Sequence, residues 1–84
     1  MQIEFLTEYP DGYYSAWAIH PSGRVFNFLC SPDGSRVRAI RRRLDNGRWY
    51  TLHAKQAVRW AAEIERAVAR KMAGGVDTRM STNV

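Results

Sequence analysis

Four turn signals divide the first part of the chain: Pro10-Asp11-Gly12, Pro21-Ser22-Gly23, Pro32-Asp33-Gly34 and Asp45-Asn46-Gly47. Proline presets the first corner of a turn, Asp and Asn bond back to the local backbone, and Gly accepts the left-handed conformation that closes it. The runs between these turns are short and rich in aromatic and β-branched residues, the pattern of hairpins. Ile3 to Thr7 reads as a short strand. Tyr13 to His20 is a clearer one, with Tyr13, Ser15, Trp17 and Ile19 on one face and Tyr14, Ala16, Ala18 and His20 on the other. In Arg24 to Cys30, Phe26, Phe28 and Cys30 alternate with Val25, Asn27 and Leu29.

The segment from Ser35 to Leu44 admits two readings. As a strand, Val37 and Ala39 share a face and Ile40 falls on the other, which requires a bulge or burial on both sides. As a helix, Val37, Ile40 and Leu44 lie within about 60° of each other, with Ser31-Pro32 at the start and Gly47 at the end. The flanking hairpin-type turns and the strand-like Arg48-Trp49-Tyr50-Thr51-Leu52 favour the strand.

From Ala54 to Ala73 there is no Gly or Pro, and alanine is abundant. That predicts one long helix ended by Gly74-Gly75. Ala57, Val58, Ala61, Ile64, Val68 and Met72 are assigned to its apolar face, with Trp60 at the border. Residues 76–84 are polar and read as a flexible tail, leaving 1–75 as a single domain. The predicted fold class is α+β, a small antiparallel meander of four to five strands packed on one C-terminal amphipathic helix.

Composition agrees with a compact domain. The chain has 84 residues, 45% hydrophobic and 25% charged, close to soluble globular averages. No apolar run approaches the roughly 20 residues of a membrane span, and Met1 to Gly12 has no basic stretch followed by an apolar one, so no secretory signal is expected. A single cysteine, Cys30, cannot form an internal disulfide, which makes the reducing cytoplasm the expected compartment.

Catalytic chemistry finds little support. His20 and His53 sit at element boundaries, and no spacing pairs either with Cys30 or a carboxylate. Cys30 follows Phe26 and Phe28 at strand period and reads as a small buried residue. Asp33 and Asp45 belong to turns. No Cys/His spacing suits zinc, and neither glycine-rich phosphate loop is present. No enzyme, cofactor or metal is expected.

Charge is the sharper feature. Residues 1–23 contain no Lys or Arg and carry −3, whereas 24–84 carry +8. Arg36, Arg38, Arg41, Arg42, Arg43 and Arg48 lie close together, and 11 of the 13 basic residues are arginine, the side chain best suited to grip phosphate or carboxylate in two-point contacts. In a regularly alternating strand, Arg36, Arg38 and Arg42 project to one face and Arg41 and Arg43 to the other. With Trp49 and Tyr50 on the return limb, such a hairpin offers both phosphate contacts and stacking surfaces, as single-strand binders do. The plainer reading is an edge strand kept soluble by its charge. On the helix, Lys55, Arg59, Arg66 and Arg70 fall within about 60° and form a second basic stripe. Glu63, three or four residues from Arg59 and Arg66, is placed to satisfy part of it.

Seven of the ten aromatic residues precede residue 31. A sheet has two faces and only one helix is predicted, so aromatic surface is left over for a partner or a homodimer. The order of four or five strands followed by one long helix, with the strand-to-helix rhythm of Tyr50 to Ala57, resembles the architecture of single-stranded-DNA-binding coactivators and Whirly proteins. The resemblance is one of element order. The expected function is non-enzymatic binding of nucleic acid or a nucleoprotein through the arginine cluster. The alternative is a small phage-type inhibitor or interaction protein, for example an anti-CRISPR, that docks on an acidic surface of a host protein complex.

Overall fold

The computed structural model describes residues 1–83, with side chains through Gly74. Five strands, β1 (Gln2–Glu8), β2 (Tyr14–Ile19), β3 (Val25–Cys30), β4 (Val37–Arg43) and β5 (Trp49–Thr51), precede one helix, α1 (Ala54–Asn83). The strands pair antiparallel in sequence order, β1-β2-β3-β4-β5. The fold is α+β, a meander packed on a C-terminal helix.

Three of the four turns share one geometry. In the second, Gly23 N–H donates to the His20 carbonyl and His20 N–H to the Arg24 carbonyl, and the pattern repeats at Tyr9–Tyr13 and Leu44–Arg48. A three-residue loop with glycine in the left-handed region matches the twist of the strands it joins. The Ser31–Arg36 turn is one residue longer. Its Gly34, at φ +78°, lies under the helix, where an added Cβ would come within 2.5 Å of Met72 Sδ.

The core lies between one sheet face and α1. Ile3, Ala16, Ala18, Phe26, Phe28, Cys30, Val37, Ile40 and Leu52 meet Trp60, Ile64, Ala67 and Val68 from the helix. Trp60 lies across Phe26 with ring centroids 4.6 Å apart. Glu65 Oε2 accepts a 3.0 Å hydrogen bond from Val37 N–H, tying the helix to the start of β4.

Two expectations for the helix need correction. Val58 is 72% exposed, because it sits about 120° from Ile64 at 100° per residue. Trp60 is core, not border. The tail expected over residues 76–84 lies outside the residues whose side chains are described.

Within Ser35–Leu44 the chain forms strand β4 over Val37–Arg43, and of the two ways to accommodate Val37 and Ile40, a bulge or burial on both sides, it takes the bulge. Leu29 pairs with Arg38 and Asn27 with Arg41, so Ala39 and Ile40 together oppose Phe28. Ala39 has φ +53°, the left-handed conformation of a bulge that usually holds glycine. The extra residue brings both Val37 and Ile40 to the core face.

Candidate functional site

The bulge also re-sorts the arginines. Arg38, paired with Leu29, and Arg41, paired with Asn27, point to the sheet face opposite the helix, as does Arg43 by alternation. Arg42 pairs with buried Phe26 and points to the helix side. The predicted grouping of Arg38 with Arg42 is therefore corrected, because the bulge shifts the alternation by one residue after Ala39. The edge-strand reading is corrected as well: over Arg41–Arg43, β4 is paired on both sides, with β3 and with β5.

On the open face one row crosses the whole sheet in register: Glu4, Trp17, Asn27, Arg41 and Thr51. The Arg41 guanidinium donates to Asn27 Oδ1 at 2.6 Å and lies 5.5 Å from the Trp49 ring centroid. The Arg38 guanidinium lies 4.2 Å from the Tyr13 ring. Trp17 is 36% exposed. Charge is graded along the row, acidic at β1 and basic at β4. Among the described residues no arginine lies within salt-bridge distance of a carboxylate, so the cations of this face are available to an external anion.

The other sequence candidates scatter. Arg36 and Arg48 are exposed in turns, their backbone N–H groups bonded to Ser31 Oγ and Asn46 Oδ1. Trp49 joins the open face. Tyr50 pairs with Arg42, is exposed, and meets the His53 ring edge-on at 6.0 Å. Lys55, Arg66 and Arg70 are exposed on α1, across the sheet from Arg38 and Arg41. Arg59 lies beside the Trp60 ring, 5.2 Å from its centroid.

Sequence reasoning passed over Arg24. Its guanidinium lies 5.8 Å from the same Trp60 ring, and it lines cavities with Arg42. The signal was present: Arg24 precedes Phe26 and Phe28 at period two and so shares their face.

His20 differs from expectation. Its Nε2 lies 3.4 Å from Glu63 Oε1, which turns Glu63 away from its expected role beside Arg59 and Arg66. Its Nδ1 accepts from Ser22 N–H at 3.1 Å and lies 2.8 Å from Ser22 Oγ. The Ser22 N–H occupies the ring nitrogen that a nucleophilic hydroxyl would need, so this geometry is that of a turn clamp. Cys30 is buried, and burial followed by the nearby Asp33 and Glu65 charges pushes its thiol up, which disfavours the reactive thiolate. Among the described residues no group of three His, Cys, Asp or Glu side chains could hold a metal ion, and no helix is long and apolar enough to cross a membrane.

No protein-family model, curated protein or solved structure matches the chain. The likeness to the DNA-binding coactivators thus stays one of element order, and the functional reading rests on the residues themselves.

Proposed function

We propose that this is a non-enzymatic binding protein that takes nucleic acid on the open face of its sheet. The observation that carries the reading is the gathering of Arg38, Arg41 and Arg43 on that face by the Ala39 bulge, beside Tyr13, Trp17 and Trp49. Arginine supplies phosphate contacts and aromatic rings supply stacking, the two components of single-strand recognition. Arg36 and Arg48 extend the basic surface at its ends. The buried lone Cys30 suits a reducing cytoplasm.

A two-fold contact through this face that reverses the strand order would set Glu4 of one copy toward the arginines of the other, so a homodimer would use the same surface and compete with nucleic acid for it. An acidic protein surface, as in the inhibitor reading, has the same charge complementarity but no use for stacked bases.

The test is fluorescence anisotropy with single-stranded and duplex probes over a salt series. The parent is expected to bind single strands with a steep salt dependence. The Arg38→Ala, Arg41→Ala, Arg43→Ala variant is expected to lose roughly 0.7 of slope per contact. No binding by the parent near 0.1 M salt, where the Debye length is about 10 Å, overturns the nucleic-acid reading. Co-purification of an acidic protein after nuclease treatment would then favour the inhibitor reading.

A further inference from the structure

On the helix side of the sheet a cavity of about 170 Å³ is lined by Arg24, Arg42, Leu52, Gln56, Arg59 and Trp60. Three of these six are arginines and none is acidic. The arginines come from three elements: Arg24 leads into β3, Arg42 lies on β4 and Arg59 on α1. Trp60, buried against Phe26, flanks two of them, with Arg24 and Arg59 lying 5.8 and 5.2 Å from its ring centroid.

Arg42 Nε is shielded from solvent and has no hydrogen-bond acceptor among the described residues. A buried N–H of a charged group without an acceptor is costly. Guanidinium groups keep their charge at any ordinary pH, so converging three of them without a carboxylate adds repulsion. An anion placed among them relieves both costs. The volume lies below the roughly 300–1,000 Å³ of sites that enclose whole small molecules. It suits one compact anionic group, and arginine forks match phosphate oxygens.

We propose that the cavity between β3, β4 and α1 is a phosphate site, taking inorganic phosphate or the terminal phosphate of an ester on Arg24, Arg42 and Arg59. This goes beyond the open-face reading and uses different arginines, so either can fail alone.

The test follows the Arg42 Nε–H resonance of the full chain by NMR while inorganic phosphate is added at constant ionic strength against chloride. A saturable shift is expected. Arg24 and Arg59 are exposed, so Arg24→Gln and Arg59→Gln should fold normally, and each is expected to weaken the isotherm by roughly ten- to a hundredfold. The Arg38→Ala, Arg41→Ala, Arg43→Ala variant is expected to keep it unchanged. Oligonucleotides with and without a 5′-phosphate, added to the Arg38→Ala, Arg41→Ala, Arg43→Ala variant so that the open face does not contribute, separate the sources: a phosphorylated strand that shifts the Arg42 Nε–H resonance at lower concentration than inorganic phosphate, while its unphosphorylated form does not, identifies a strand end, and equal affinity identifies free phosphate. A shift that does not saturate, or an isotherm unaltered in Arg24→Gln and Arg59→Gln, overturns the proposal.

Discussion

Arg41 reaches across the β3–β4 ladder to donate a 2.6 Å hydrogen bond to Asn27 Oδ1, and Asn27 Nδ2 donates in turn to the Ala16 carbonyl of β2 at 3.2 Å. Three strands thus hold one guanidinium in place. Asn27 is half-buried, and its second bond fixes which way its amide faces, so Arg41 meets an acceptor that is already oriented. Replacing Asn27 with Ala is expected to cost about 0.5–1.5 kcal/mol in stability and to weaken probe binding severalfold, read by denaturant unfolding and anisotropy. Unchanged probe affinity would show that Arg41 needs no such support.

The bulge residue offers a second test. Ala39 holds φ +53°, a conformation that costs an L-residue roughly 1–2 kcal/mol and glycine almost nothing. Ala39→Gly is expected to stabilise the protein by roughly 0.5–1 kcal/mol after glycine's greater unfolded-state entropy is set against that relief. Ala39→Val should destabilise it. A loss of stability in Ala39→Gly would argue against the left-handed bulge.

Core and surface of the helix are separable by truncation. Ile64 is fully buried and Val58 is 72% exposed. Ile64→Ala is expected to lose about 2–5 kcal/mol, and Val58→Ala to stay within about 0.5 kcal/mol of the parent. Equal losses would mean that the helix packs through another face.

The Ser31–Arg36 turn carries a pH dependence of known sign. Asp33 is held down to about 2 by the Ser35 N–H, the Ser35 hydroxyl and the Ser31 hydroxyl. A carboxylate whose value is lower folded than unfolded stabilises the fold above its unfolded value and loses that contribution as pH falls through the folded one. The parent is therefore expected to lose stability between about pH 4 and pH 2, from the ordinary carboxylate value of 3.8 toward the value of Asp33. Asp33→Asn should flatten that part of the curve. The check is melting temperature against pH for both proteins, and parallel curves would contradict this role.

The meander was legible because its turns are written in local chemistry, Gly at the closing position of all four and Pro at the first corner of three. Val37 and Ile40 likewise showed that β4 needs either a bulge or burial on both sides. Nothing marked Ala39 as the residue that makes it, since alanine has no preference for positive φ, and the faces of Arg38 and Arg42 depended on that one position. In an alanine-rich helix the apolar stripe is faint, so Val58 was drawn into it while Trp60 was left at its edge. His20 and Glu63 meet only because α1 lies across the sheet, a non-local contact that strand and helix periods do not encode. The arginine cavity was hidden for the same reason, its three arginines coming from separate elements.

The most direct measurement is NMR mapping of the two sheet faces during titration with a single-stranded oligonucleotide. The expected result is that the largest shifts fall on the Trp17 and Trp49 indoles, the Asn27 side-chain amide and the Arg38 and Arg41 Nε–H groups, while the buried Ala16 and Ala18 amides change little. Shifts confined to Lys55, Arg66 and Arg70 on the helix, or no shifts at all, would contradict binding on the open face.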